Sequence, residues 1–172
     1  MKSRILSGSA LAGALGLLLV FASPSYRQGE PSIAGRPARD FSFTLDGKPT
    51  TLSAQKGKVV VLNFWATWCP PCVEEMPSLN ALHAALAGKG VIVLGVSVDE
   101  DAAAYENFRV THSLRFPTHR DPSKQIAIRY GTNMYPETYI IGRDGRIARK
   151  IIGPQDWARP DLTEYLEKLA AP

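Results

Sequence analysis

With 172 residues, the chain has room for one ordinary domain beyond any targeting segment. Its formal charge is +4, but Lys2 and Arg4 precede the first apolar run, so the remainder lacks the clustered positive charge of a nucleic-acid binder. Its two cysteines, Cys69 and Cys72, are too few for a disulfide-stapled scaffold, and a domain of this size buries roughly 68% of its unfolded surface without staples.

Residues 1–4 are short and basic, and residues 5–22 carry no charge, a run just long enough to span a bilayer. Two readings stand for residues 1–22, a retained signal anchor or a signal peptide cleaved after Val20-Phe21-Ala22, and either exports the remainder of the chain. No cysteine lies nearby to carry a lipid. Residues 23–38 hold Pro24, Pro31, Pro37, Gly29 and Gly35, which reads as a tether reaching ~20–25 Å if flexible. The domain proper is expected over 39–172.

Residues 41–45 alternate apolar and polar, Asp46-Gly47 turns the chain, and residues 50–52 return it, which predicts a hairpin at the domain's edge. Residues 59–65, Val-Val-Val-Leu-Asn-Phe-Trp, form an apolar run suited to a strand buried on both faces. A helix is predicted from 73 to about 87, with Met76, Leu79, Leu82 and Leu86 on one stripe, a kink at Pro77 and an end at Gly88 and Gly90. Residues 91–96 predict a second buried strand, parallel to the first. Asp99-Glu100-Asp101 reads as the capped start of a helix over 102–111. Asp121 or Ser123 caps another helix that runs to Tyr130 and closes at Gly131. Strands over 136–141 and 146–152 flank the turn Gly142-Arg143-Asp144-Gly145, with Arg143, Arg146, Arg149 and Lys150 as a solvated basic set. A last helix covers about 162–170.

The chemistry concentrates in Trp68-Cys69-Pro70-Pro71-Cys72, where a strand feeds a Cys-x-x-Cys at a helix start. Cysteines three apart there lie close enough for a disulfide, and the free N–H groups and helix dipole favour a thiolate on the first. Proline is tolerated in that first turn. A structural zinc site wants four ligands, and His83, His112 and His119 lack the spacing to complete one. A purely structural disulfide closing so short a loop removes little chain entropy. Thiol–disulfide exchange is the reading this spacing supports, with no metal assigned and no cofactor beyond the redox-active disulfide.

Residues 64–72, Pro77, Tyr135-Pro136-Glu137-Thr138 and the run 141–147 together resemble the thioredoxin-like family of exported, membrane-tethered thiol–disulfide oxidoreductases. The nearest branch is the TlpA/ResA and CcmG (DsbE) type, which keeps apocytochrome c cysteines reduced for haem attachment. The resemblance covers about residues 36–168. It implies an α/β thioredoxin-like fold, a central mixed β-sheet with helices on both faces and an N-terminal β-hairpin. It also implies Cys69 as nucleophile, Cys72 as resolving cysteine, and a cis bond before Pro136 that holds Tyr135 open to a substrate strand. Asn63 stands where ordinary thioredoxins carry a buried aspartate, so the resemblance passes the proton-accepting role to Glu75, one helical turn after Cys72. The plainer reading of Glu75 is a first-turn dipole residue. Trp68, with Pro70 and Pro71, reads as part of the surface that meets a partner.

The partners implied are a protein disulfide, apocytochrome c among the candidate clients, a membrane thiol donor of the DsbD/CcdA type, and the membrane itself. Rival readings are a disulfide-forming oxidase, a general exported-thiol reductase and a Cu(I) chaperone. A peroxidase fits less well, because Thr67 stands two residues before Cys69 where peroxiredoxins want three.

Overall fold

A computed structural model describes residues 33–172. The expected anchor or signal at 1–22 and most of the tether lie outside the described residues. Among the described residues, no helix is long and apolar enough to cross a membrane.

The core is a five-stranded sheet built on β3 (Val59–Trp65), β4 (Val91–Ser97), β5 (Thr118–Arg120), β6 (Glu137–Ile141) and β7 (Ile147–Ile152), in the order β5-β4-β3-β6-β7. β3 runs parallel to β4 in the register Val59↔Val91 to Trp65↔Ser97, and β4 parallel to β5. β6 lies antiparallel to both β3 and β7, so the sheet is mixed. β3, β4 and β6 are buried at every residue, as their unbroken apolar runs require. β5 has no run of its own in the sequence; it forms because β4 offers it an edge at Gly95, Val96 and Ser97.

The layers follow from the two faces of β3. Phe64 packs on Tyr139 and on Tyr130 at the end of helix α3 (Gln125–Tyr130), and Phe41 meets Tyr130 edge-on from before the hairpin. Trp65, on the opposite face, packs on Tyr105 and Phe108 of α2 (Ala102–Thr111). Asn63 shares that face and bonds to α1 (Pro70–Leu86). A fourth α-helix, α4 (Pro160–Ala170), is tied by a Lys89–Glu167 ion pair to the 3-10 turn that follows α1. The hairpin β1 (Ser42–Leu45) and β2 (Lys48–Thr51) forms a separate two-stranded sheet, its return strand two residues earlier than its alternation suggested.

Three further expectations are corrected. α1 begins at Pro70 rather than 73, because Cys69 serves as its N-cap and both prolines fit positions where no N–H is needed. Of the three acids at 99–101, only Asp101 caps α2, accepting from the N–H groups of Ala103 and Ala104. Lys150 is not solvated: its ammonium sits 2.6 Å from the buried Glu137 carboxylate and over the Tyr139 ring. Burial works against its charge, but Glu137 and Tyr139 outweigh it and hold its pKa above the usual value. Lys124 is the N-cap of α3, and Asp121, three residues earlier, accepts the N–H groups of Gln125, Ile126 and Ala127 that the expected cap would satisfy. Residues 35–38 are held to the β6–β7 hairpin by bonds between Gly35 and Ile147, Arg36 and Ile147, and Ala38 and Gly145.

The sheet is tightest at Gly95, where an added Cβ would stand 2.9 Å from Trp65 Nε1 and 3.0 Å from Phe116. Gly95→Ala is expected to lower stability by about 1–3 kcal/mol in urea unfolding, the usual cost of overpacking. An unchanged midpoint would show that the aromatic layer yields freely.

Candidate active site

Cys69 and Cys72 form a disulfide across the first turn of α1, with Cα atoms 5.3 Å apart. Two prolines remove two of the first-turn donors, and the N–H of Cys72 is shared between the Cys69 carbonyl oxygen at 3.0 Å and Cys69 Sγ at 3.3 Å. That donor and the helix N-terminus stabilise negative charge on Cys69 once the pair is reduced. Both sulfur residues are buried.

The loop feeding Cys69 is held by Asp99, a role its place beside Asp101 conceals. Its buried carboxylate accepts from the Thr67 backbone N–H at 3.0 Å, the Thr67 hydroxyl at 2.7 Å and the Ser97 hydroxyl at 2.6 Å. The segment just after β4, braced by Ser97 at the strand's end, therefore fixes through one side chain the turn that presents the disulfide.

The Tyr135–Pro136 peptide bond is cis, as the resemblance implies. The β3–β6 register pairs Phe64 with Glu137, so Pro136 leaves the same end of the sheet as the cysteine loop. Trp68 meets Tyr135 edge-to-face at 6.0 Å. Trp68 is 60% exposed, and neighbouring Met134, which no sequence pattern singles out, is 59% exposed. Pro70 is exposed and Pro71 half-buried. An apolar rim of Trp68, Met134 and Tyr135 thus stands at the disulfide, while Trp65 belongs to the core.

Glu75 is 2% exposed and lies in the same helical stripe as Cys72, Met76 and Leu79, so it occupies a core position rather than a solvated first turn. Its Oε1 accepts from Asn63 Nδ2 at 2.7 Å. Its Oε2 accepts from the Gln155 N–H and from Trp157 Nε1, each at 3.1 Å. Burial pushes its pKa up, and the bonds from Trp157, Gln155 and Asn63 oppose that without cancelling it. A cavity of about 350 Å³ lined by Glu74, Pro77, Ser78, Pro154 and Asp156 adjoins it. Gln155 and Trp157 are site residues that the sequence does not reveal, because a lone tryptophan in a polar stretch gives no period to read.

A disulfide closed across a helix N-terminus, at the sheet end that also carries a cis-proline, is the redox centre of a thioredoxin-like thiol–disulfide oxidoreductase, and comparison with known proteins puts this chain in that class. The chain belongs to the AhpC/TSA family, whose profile matches residues 34–150. The thiol-disulfide oxidoreductase ResA of Bacillus anthracis is 37% identical over 160 residues, covering 92% of this chain and 90% of that protein. ResA of Bacillus subtilis is 34% identical over 127 residues, covering 73% and 71%. Among solved structures, a thioredoxin-family thiol:disulfide interchange protein from Chlorobium tepidum matches with a TM-score of 0.67 and 30% identity, over 78% of this chain and 96% of that one.

The geometry predicts two outcomes. Asp99→Ala strands the Thr67 N–H and two hydroxyls, and is expected to cost about 1–3 kcal/mol in urea unfolding; a smaller loss would mean the loop is held by other contacts. For Glu75 the folded state binds its proton more tightly than the unfolded chain does. Between the two pKa values the folded state therefore carries more protons, and stability falls as pH rises through that window. Glu75→Gln removes this dependence, so the variant should gain on the parent as pH rises from acid to neutral, read by urea midpoints. A constant difference would place the folded pKa at its ordinary value.

Proposed function

We propose that this chain is an exported, membrane-tethered reductase of protein disulfides that serves cytochrome c maturation. The observation that carries the reading is the buried Glu75 carboxylate one turn after Cys72, with its pKa raised toward the range of a working proton acceptor. The Cys69 thiolate attacks a substrate disulfide, forming a mixed disulfide and expelling one substrate thiolate. Cys72 then gives its proton to Glu75 and attacks Cys69, which releases the second substrate sulfur and leaves the Cys69–Cys72 disulfide. A membrane thiol donor of the DsbD/CcdA type restores the dithiol, because an exported protein has no access to cytosolic reductants.

Trp68, Pro70, Pro71, Tyr135 and Pro136 form the surface that receives the client, an extended segment such as the cysteine-bearing stretch of apocytochrome c. Supporting this, Trp68 and Pro70 are exposed and Pro71 and Tyr135 half-buried, while Pro136 and both cysteines are buried. The uncharged run at 5–22 is read as the membrane anchor and residues 23–38 as the tether between it and the domain.

The deciding measurement is the reduction potential of the Cys69–Cys72 couple in the purified chain, by equilibration with a thiol buffer. A value near thioredoxin's, about −270 mV, is expected of a reductant fed by a membrane donor. A value near about −120 mV would make the chain a disulfide-forming oxidase and overturn the maturation reading.

A further inference from the structure

We propose that the Asn63 side-chain amide rotates with the charge on Glu75, presenting its NH2 to the carboxylate and its carbonyl oxygen to the protonated acid. The proposal rests on the reading of Glu75 as the proton acceptor and adds to it the residue that lets a buried group hold either charge.

Three groups bond to the Glu75 oxygens: the Asn63 amide, the Gln155 backbone N–H and the Trp157 indole N–H. All three donate, so the pocket as described is made for a carboxylate. Once Cys72 gives up its proton, Glu75 carries an O–H that needs an acceptor, and a buried O–H without one is destabilising. A backbone N–H and an indole N–H have no acceptor to offer. The Asn63 amide does, after a half-turn about its last torsion, which is soft and nearly two-fold.

The surroundings of Asn63 are suited to that half-turn. Its Nδ2 donates to Glu75 Oε1 at 2.7 Å and to Thr138 Oγ1 at 3.0 Å, while its Oδ1 is buried with no partner among the described residues. After rotation, Oδ1 takes the place of Nδ2. It then accepts from the Glu75 acid and from the Thr138 hydroxyl, which can donate as well as accept. The two unpartnered amide hydrogens then occupy the site that Oδ1 left. One end of the amide is unsatisfied in either state, so neither orientation dominates and the charge on Glu75 chooses between them. The proton balance is simple: Cys72–SH and Glu75–COO⁻ become Cys72–S⁻ and Glu75–COOH, and the amide turns without gaining or losing an atom. Asn63 touches neither sulfur in this scheme and is a positioning residue.

The test uses the full chain in detergent micelles, oxidised, with labelled asparagine and glutamate side chains. In a pH titration, the nuclear Overhauser contact between the Asn63 amide protons and Thr138 should vanish with the same midpoint as the Glu75 carboxyl carbon. In Glu75→Gln, the new carbonyl takes the Gln155 and Trp157 donors and its NH2 faces Asn63. That variant should therefore lack the Thr138 contact at every pH. Persistence of the contact through the Glu75 titration would overturn the rotation. Mixed-disulfide release by Glu75→Gln, followed in single turnover, separates the two claims: it should slow at least tenfold. Release at the parental rate would overturn Glu75 as proton acceptor, whatever the amide does. Asn63→Leu, which offers neither orientation, should lower kcat about tenfold with KM unchanged, and an unchanged kcat would also overturn the proposal.

Discussion

One carboxylate buried in the core sets the terms for the rest of this structure. Glu75 sits in a helical stripe whose other members, Cys72, Met76, Leu79, Leu82 and Leu86, are all buried. A charge there is costly unless it is hydrogen-bonded. The bonds come from separate parts of the chain: Asn63 in β3, and Gln155 and Trp157 in the segment between β7 and α4. The carboxylate therefore joins the central strand, the active-site helix and the approach to the last helix at a single point. Removing it would strand three donors at once, which is why those elements arrive at that point in one arrangement.

The second fixed point is Asp99. It lies at the end of β4 and accepts from Thr67, two residues before Cys69, so the cysteine loop is held from the neighbouring strand as well as from its own helix. Asp101, two residues later, does the ordinary work of capping α2. The two acids differ in burial rather than in type: Asp99 is enclosed with the Ser97 and Thr67 hydroxyls, while Asp101 is exposed. Glu75 holds the helix and Asp99 the loop before it, and between them the Cys72 N–H donates to the Cys69 carbonyl oxygen at 3.0 Å and faces Cys69 Sγ at 3.3 Å.

Much of this is legible in the sequence because it depends on local periodicity. The continuous apolar runs of β3 and β4, the α1 stripe and the hairpin turn at Asp46-Gly47 all announce themselves within a dozen residues. The cysteines and the proline after Tyr135 are equally local signals, though the expectation of a cis bond rests on the resemblance alone. Pairing across long separations stays hidden. β5 is three residues long and exists through its edge contact with β4. Trp157 reaches Glu75 across 82 residues, and Lys150 is buried because β7 brings it over Tyr139 and Glu137. Asp99 misleads for the opposite reason, since a local capping pattern explains it too easily. The burial of Glu75 is readable from its place in the 72–75–76–79 stripe, and that spacing is the signal that weighs against a first-turn dipole role.

The site divides into two parts built from different stretches of chain. Glu75 and the groups bonded to it, Asn63, Gln155 and Trp157, make up one part, with the side chains of Asn63, Glu75 and Trp157 buried. The other part is apolar: Trp68 in edge-to-face contact with Tyr135, and exposed Met134 beside Tyr135 in sequence, on the two loops that leave the same end of β3 and β6. No side chain belongs to both sets. Substitutions in the rim therefore leave the hydrogen bonds that hold Glu75 in place, and substitutions in the buried set leave the exposed apolar surface as it is. The two parts are thus separable in this fold, because the first turn of α1 carries the disulfide next to Trp68 while the following turn carries the buried carboxylate.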